Sequence, residues 1–132
     1  MIIMRTVTVG IFHESEIGKV MGESKKENGI VTYRRQEGEV EFVFLQCPER
    51  DNARKMHIIS TIDAAVISVE DINEELKDTV SMIDKAGITK GVVIARSGTD
   101  VKQLVEMTKG TTLESFVVMD KDPGKILHVL SR

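Results

Sequence analysis

The stretch TVTVGIFHESEIGKV, Thr6–Val20, joins an apolar, β-branched run to a Gly-Lys pair. A phosphate-binding loop has the pattern G-x-x-x-x-G-K-S/T, because backbone N–H groups wrap the phosphates, the lysine reaches the outer phosphates and the hydroxyl ligates Mg²⁺. Gly18 and Lys19 fit this pattern, whereas His13 replaces the first glycine and Val20 replaces the hydroxyl. A strand-to-helix turn with a solvated lysine would look the same. Taken alone, the stretch therefore argues against a working phosphate site.

The composition predicts one globular domain over residues 1–132. With 41% hydrophobic residues the chain can bury a sizeable core, and 132 residues leave no room for a second domain. The net charge is −3, from 18 basic and 21 acidic residues that do not cluster, so direct nucleic-acid or membrane binding is not indicated by charge. The one cysteine, Cys47, is expected to be a buried apolar side chain. Without a leader or an apolar run of about 20 residues, the sequence predicts a cytoplasmic protein.

Apolar runs of strand length alternate with helical patterns, which predicts a parallel sheet covered on both faces. The predicted central strands are Thr6–Phe12, Ala64–Val69, Gly91–Ala95 and Ser115–Met119. One predicted helix begins at Asp71, with Glu74 three residues later as in a capping box. Two more begin at Asp100 and at Asp122, which precedes Pro123.

One segment interrupts this alternation. Ile30–Arg35 and Val40–Gln46 are strand-like runs joined by residues 36–39, which predicts an antiparallel hairpin. We therefore predict a six-stranded, mostly parallel sheet with Ile30–Arg35 as its one antiparallel edge strand. A phospho-receiver domain shares the alternating order, but it needs an aspartate where Gln46 stands. Because edge strands expose unpaired backbone groups, this edge hairpin is a candidate surface for self-association.

Four stretches follow one another in an order that is typical of one family: HESEIGKV at 13–20, NGIV at 28–31, QCPER at 46–50 and DAAVISV at 63–69. They resemble the motifs G-H-x-D-H-G-K-S/T, R-G-I-T, D-x-P-G-H and D-A/G-A-x-L-V-V of the G domain of translational GTPases, especially elongation factor Tu and the selenocysteine-specific elongation factor. A fifth stretch, AGITKGVVI at 86–94, resembles the strand that leads to their guanine motif. The resemblance runs from about Arg5 to Met119 and implies an α/β fold, a three-layer P-loop GTPase-like G domain.

The positions that perform chemistry in this family have changed. Val20 and Val31 stand where two Mg²⁺-binding hydroxyls would be, and a methyl group cannot coordinate a hard cation. Gln46 replaces the aspartate of the metal shell, Glu49 replaces the glycine that meets the γ-phosphate, and Arg50 replaces the histidine that positions water. The resemblance thus implies a degenerate pseudo-GTPase paralogue with no catalytic residue and no metal site, and GTP hydrolysis is not expected.

Gly18, Lys19 and Asp100 are the candidates for a vestigial nucleotide site. The guanine motif N-K-x-D has become either ARSG at 95–98 or SGTD at 97–100. The second register alone keeps an aspartate for the base, and the residues do not decide between the two. No cofactor is expected beyond weakly bound GTP or GDP.

Two features of the loop weaken phosphate binding further. Glu14 and Glu16 place negative charges inside it, and uncompensated like charges about 4 Å apart cost about 4 kcal/mol near a protein surface. Only nine residues lie between Lys19 and Gly29, where the family carries its first helix and the switch loop that orders around γ-phosphate and Mg²⁺. The switch is therefore expected to be absent.

Two functions follow from the resemblance. The first is a catalytically inactive, elongation-factor-like binding module that acts in or near translation through a protein or ribonucleoprotein partner. The alternative is a residual GTP- or GDP-binding protein without metal-dependent hydrolysis, and a nucleotide in the purified protein would distinguish the two. The sequence ends where the family's two β-barrel domains would begin. If 132 residues are the whole product, aminoacyl-tRNA delivery in the family manner is not expected.

Overall fold

One β-sheet forms the centre of the structure, a computed structural model that describes residues 5–14, 17–27 and 29–132. Its strands are β1 (Arg5–Phe12), β2 (Glu23–Glu27), β3 (Ile30–Glu37), β4 (Val40–Gln46), β5 (Ala64–Val69), β6 (Gly91–Ala95) and β7 (Val117–Met119). They lie in the order β2-β3-β4-β1-β5-β6-β7. β4, β1, β5, β6 and β7 are parallel neighbours, whereas β3 is antiparallel to both β2 and β4. The prediction of a mostly parallel sheet is confirmed.

Helices cover both faces of this sheet. In the described part of the chain they are α1 (Ile17–Met21), α2 (Asn52–Thr61), α3 (Glu74–Lys85), α4 (Val101–Thr108) and α5 (Pro123–Leu130). One buried cluster joins the sheet to α2, α3 and α4 through Ile58, Val80 and Leu104. A second cluster joins the other face to α1 and α5 through Ile17 and Ile126. The molecule therefore has three layers, with an apolar core on each side of the sheet.

The helix starts follow local capping chemistry. Asp100 and Asp122 cap α4 and α5, each accepting a hydrogen bond from a backbone N–H in the first turn, as predicted. The predicted start at Asp71 is wrong, because α3 begins at Glu74 and the side chain of Asn73 accepts from Leu76 N. Such a cap contributes typically about 1 kcal/mol.

The described part of the chain forms one strand more than the predicted six. β2 pairs with the outer side of β3, so Ile30–Glu37 is not an edge strand. The segment ESKKE escaped prediction because Ser24, Lys25 and Lys26 are all exposed, which leaves no alternation of apolar and polar residues. The proposed self-association surface on the edge hairpin is therefore wrongly placed. Among the described strands, β2 and β7 lie at the two edges of the sheet, and the exposed lysines of β2 are typical of edges that resist pairing.

The predicted strand Ser115–Met119 is also shorter in the structure. Thr112–Ser115 forms a 3-10 helix, and β7 begins only at Val117. The Ser115 hydroxyl lies within hydrogen-bond distance of both Thr89 O and Thr112 O and can donate its one proton to either, which favours a turn before the strand.

The carboxyl ends of the five parallel strands meet at one edge of the sheet. The turn after β1 carries His13 and Glu14, while Glu70, Arg96 and Lys121 follow β5, β6 and β7. In open α/β sheets ligands bind in the crevice outside this edge. The same part of the molecule is therefore the place to look for a site. No helix in the described ranges is long and apolar enough to cross a membrane.

Candidate functional site

Glu14 is a buried carboxylate in the turn that follows β1. The residue is 3% exposed. Arg96 Nη2 donates to Glu14 Oε2 at 2.7 Å, and Lys121 Nζ donates to Glu14 Oε1 at 3.1 Å. The expectation of an uncompensated negative charge at Glu14 is therefore wrong, because two cations compensate it. Glu16 lies outside the described residues.

Two further hydrogen bonds fix the surroundings of Glu14, one through the side chain of Arg96 and one through the backbone of Glu14. Arg96 Nε donates to Ser68 Oγ at 2.9 Å, so the guanidinium is fixed against β5. Gln46 Nε2 donates to the backbone carbonyl of Glu14, which ties the end of β4 to the turn after β1. The loop at the phosphate-loop position is thus held by groups of the protein itself.

A second polar cluster ties this turn to α2 and α3. Thr79 Oγ1 on α3 donates to Glu75 O at 3.0 Å. It also contacts Lys55 Nζ at 3.0 Å and His13 Nε2 at 2.9 Å. Because the single hydroxyl proton goes to Glu75 O, Thr79 accepts from both partners, and His13 must carry its proton on Nε2. Lys55 is 2% exposed and Thr79 is fully buried, so the cluster lies within the protein interior.

The pKa of His13 lies below its usual value. Burial is the main cause, and the charge of Lys55 acts in the same direction, while the carboxylates of Glu75 and Glu49 oppose the shift. His13 also has a φ of 61°, in the left-handed region that few residues other than glycine adopt. The turn after β1 therefore keeps a glycine-like backbone at the position of the first phosphate-loop glycine.

We expect the pH dependence of stability to change when His13 is replaced by asparagine, which tolerates this backbone conformation. Since the folded-state pKa is lowered, the stabilisation from neutral His13 is fully present above its ordinary value of 6.5 and is lost as the pH falls through the folded-state pKa. Urea unfolding between pH 8 and pH 5 should show a shallower acid loss for His13→Asn than for the wild type. The exposed His57→Asn is the control, and equal slopes for His13→Asn and the wild type would contradict the assignment.

A crevice of about 300 Å³ opens beside these clusters and is lined by His13, Glu49, Ser68, Glu70, Asp71, Asn73, Leu76 and Arg96. Glu49, Glu70 and Asp71 are exposed and form no ion pair with any residue that the structure describes. Their charges oppose the entry of a phosphate group. Within the described ranges, no three or more His, Cys, Asp or Glu residues are arranged to hold a metal ion.

The three candidate nucleotide residues each have another structural setting. Gly18 and Lys19 share α1, where Gly18 is buried and Lys19 is exposed. A Cβ atom on Gly18 would lie 2.3 Å from Tyr33 Cε2, so the glycine allows close packing against that ring. Asp100 belongs to a different element, the start of α4, where Oδ1 accepts from Gln103 N at 3.2 Å. A nucleotide-binding role for these residues stays a prediction.

The residues that depart from the family motifs belong to ordinary secondary structure or face solvent. Val31 lies within β3, opposite Gln46 of β4. Arg50 is exposed and has a φ of 56° in the turn before α2. Cys47 is buried as predicted, and burial raises the pKa of its thiol to about 11, so it is no nucleophile at neutral pH. The side chain of Val20 and all of Asn28 lie outside the description.

Sequence reasoning missed three residues of these clusters: Lys55, Thr79 and Lys121. Lys121 comes two residues after β7, so its position at a strand end was a usable signal. Lys55 and Thr79 gave none, because a polar residue in an amphipathic helix is expected on the solvent side.

Comparisons with known proteins agree with this fold. The crystal structure of translation elongation factor SelB from Methanococcus maripaludis, in complex with the GTP analogue GppNHp, superimposes with a TM-score of 0.72 and 16% identity, covering all of this chain and 35% of that chain. A curated relative, the uncharacterized protein MJ0325 of Methanocaldococcus jannaschii, is 25% identical over 123 residues, which are 90% of this chain and 40% of the relative. The chain thus spans well under half of both proteins. No protein-family model matches the sequence. At these identities the likeness shows a G-domain-like fold.

Proposed function

We propose that this chain is a catalytically inactive, G-domain-like binding module that acts in or near translation, in the cytoplasm, through a protein or ribonucleoprotein partner. One observation carries the proposal: the carboxylate of Glu14 lies buried at the carboxyl edge of the sheet and pairs with Arg96 and Lys121. Two cations at this edge are therefore already engaged by an anion of the chain itself. A nucleotide would have to compete with that carboxylate.

The remaining chemistry of the crevice supports the same proposal. Glu49, Glu70 and Asp71 line it, and none of these carboxylates is ion-paired with a residue that the structure describes. Gln46 offers an amide where a carboxylate would hold a metal ion, and its Nε2 is used by the backbone of Glu14. Hydrolysis of GTP needs a metal ion to neutralise the developing charge, so this donor set does not favour it.

The clusters also suggest a module that does not switch. Lys55 and Thr79 join α2 to α3, and His13 joins both to the turn after β1. In GTPases the segments around the nucleotide are ordered by the γ-phosphate and its Mg²⁺. Here protein side chains make the connections, and we infer that the binding surface is formed without nucleotide.

In a nucleotide titration we expect dissociation constants for GTP and GDP in the millimolar range or weaker, with or without Mg²⁺. A micromolar affinity corresponds to about 8 kcal/mol, and each charge-assisted contact that is missing removes about 1.5–3 kcal/mol. Isothermal titration of nucleotide-free protein with GTP and GDP measures this directly. Phosphate release from GTP, followed in parallel, should stay at the level of buffer.

A dissociation constant below about 10 μM, some 7 kcal/mol of binding, would contradict the proposal. If that affinity fell in Lys19→Ala but not in Lys102→Ala, the residual nucleotide-binding function would replace it. Lys102 is the matched control because it is also an exposed lysine near the start of a helix.

A further inference from the structure

The two edges of the sheet differ in how they are protected against pairing. β2 has the sequence ESKKE, and its exposed lysines are typical of an edge that resists a further strand. β7 has the sequence VVM, without a charge or a proline, and no strand in the described part of the chain pairs with its outer side. β7 is therefore the edge that is open to another strand.

Exposed apolar side chains gather at the same edge. Among the described residues, the large hydrophobic side chains that are exposed belong to Val118 of β7, to Val101 and Val105 of α4, and to Met56 of α2. Val118 lies beside Val93 of β6, which packs in the cluster beneath α2, α3 and α4. Neighbouring residues in a sheet point to the same face, so Val118 lies on the α4 face.

The flank of α4 that carries the two valines is directed toward the outer side of β7. Leu104 of this helix packs into the core. Successive residues of an α-helix are about 100° apart, so Val101 and Val105 lie about 60° and about 100° from Leu104 on one flank. Met107, on the opposite flank, packs against the core cluster. Because the crossover from β6 through α4 to β7 is right-handed, the valine flank faces away from α3 and over the edge of β7.

We propose that two copies of this chain associate through the outer side of β7 and the valine flank of α4, forming a twofold-symmetric dimer. In an antiparallel pair centred on Val118, this residue lies directly opposite its own copy, with Cβ atoms about 4.5–5.5 Å apart on the α4 face. The same twofold axis places the two α4 helices side by side and antiparallel. Their valine flanks then face each other above Val118, so the apolar surface is covered by itself.

The charges of α4 favour a second copy as the occupant of this surface. Lys102 and Glu106 lie about one turn apart on the exposed side of the helix, next to the valine flank. Neither forms an ion pair with a residue that the structure describes. In an antiparallel pair of α4 helices, Lys102 lies beside the partner's Glu106, and the reverse pair forms across the twofold axis. The surface is therefore complementary to itself in charge as well as in its apolar centre.

Sedimentation equilibrium measures this association directly. Because β7 has only three residues, the interface is small, and interfaces below about 1,200 Å² are typical of weak assemblies. We therefore expect the mass of the wild type to rise from that of one chain toward that of two between about 10 μM and about 1 mM. A wild type that remains a single chain throughout this range overturns the dimer.

Variants of the apolar centre locate the interface. Val118→Lys and Val105→Lys each place a charge in the proposed contact and should raise the dissociation constant at least about tenfold. Met56→Lys makes the matched change at the exposed methionine of α2 and should leave the dissociation constant unchanged. Equal dissociation constants for the wild type and both valine variants would place the contact elsewhere and overturn the proposal.

A charge exchange on α4 tests the antiparallel arrangement. Lys102→Glu puts a carboxylate beside the partner's Glu106, and Glu106→Lys puts an ammonium beside the partner's Lys102, so each change alone should weaken the dimer. The double variant Lys102→Glu/Glu106→Lys restores opposite charges and should return the dissociation constant to within about threefold of the wild type. Both positions are exposed, so these variants decide the question even if the valine variants do not fold.

A double variant that is no tighter than the single ones overturns the twofold arrangement. The nucleotide titration does not depend on any of these results. The dimer and the proposed function can therefore fail separately.

Discussion

Replacement of Thr79 by valine is expected to lower the free energy of unfolding by about 3 kcal/mol. Valine has nearly the same shape, so the packing of the buried position is kept. What is lost is the oxygen that accepts from both Lys55 and His13. Among the residues that the structure describes, Thr79 is the one hydrogen-bond acceptor of Lys55 Nζ. A buried ammonium without an acceptor loses the hydration that it would have when unfolded.

The second variant in this series removes the ammonium instead of its acceptor. Methionine is similar in length to lysine and carries no charge, so Lys55→Met alone should change the free energy of unfolding by less than about 1.5 kcal/mol. In the double variant Lys55→Met/Thr79→Val no charged group is left without a partner. It should recover most of the stability that Thr79→Val loses, as measured by urea unfolding of all four proteins.

The control is Thr108→Val on α4. Thr108 Oγ1 donates to Leu104 O at 3.2 Å, the same bond to the fourth preceding residue that Thr79 makes to Glu75 O. Thr108 has no charged partner among the residues that the structure describes, so its replacement should cost less than about 1 kcal/mol. Similar losses for Thr79→Val and Thr108→Val, or full additivity in the double variant, would show that Lys55 does not depend on Thr79.

The sheet could be predicted where its strands are buried. Ala64–Val69 and Gly91–Ala95 have the predicted bounds, because strands covered on both faces are continuous apolar runs. β2 could not be predicted, because an edge strand that is exposed on both faces has no apolar pattern to detect. The two helices predicted to begin at Asp100 and Asp122 have the expected aspartate caps. The helix start predicted at Asp71 was wrong because Asp71 lies only two residues before the true cap, Asn73, and an aspartate is also a common capping residue.

Only some residues of the candidate site could be singled out from the sequence, and their arrangement could not be predicted. The departures at Gln46 and Glu49 are visible in the sequence, and the loss of the family's ligand set that they indicate stays a prediction. The compensation of Glu14 by Arg96 and Lys121 is not visible, because it joins segments more than 80 positions apart. Pattern reasoning treats each charge alone, whereas the fold decides which charges meet. The sequence therefore identified the negative charge of Glu14 but did not reveal that Arg96 and Lys121 compensate it.

Replacement of Gly18 by alanine is expected to lower the free energy of unfolding by up to about 3 kcal/mol. Alanine normally stabilises a helix by about 1 kcal/mol relative to glycine, so the expected sign is the reverse of the usual one. The reason is Tyr33, a buried residue of β3 whose Cε2 lies 2.3 Å from the position of the added methyl carbon. Contacts this short force the ring or α1 to move.

Gly124 supplies a control of opposite sign. It also lies in a helix, α5, but the nearest atom to an added Cβ is Asp122 Oδ1 at an ordinary 3.5 Å. Gly124→Ala should therefore stabilise the protein by about 0.5–1 kcal/mol. The pair separates the packing effect at Gly18 from the general effect of alanine in helices.

The double variant Gly18→Ala/Tyr33→Leu decides whether Gly18 is present for packing. Tyr33→Leu alone should destabilise through the loss of buried contacts, but it removes the ring that the new methyl group strikes. Urea unfolding should then show a cost for Gly18→Ala that is at least about 1 kcal/mol smaller in the Tyr33→Leu background than in the wild type, a coupling typical of residues in contact. An unchanged cost would mean that the ring is not the obstacle. Gly18 would then need another reason to be glycine, and the phosphate-loop interpretation of Gly18 and Lys19 would regain its force.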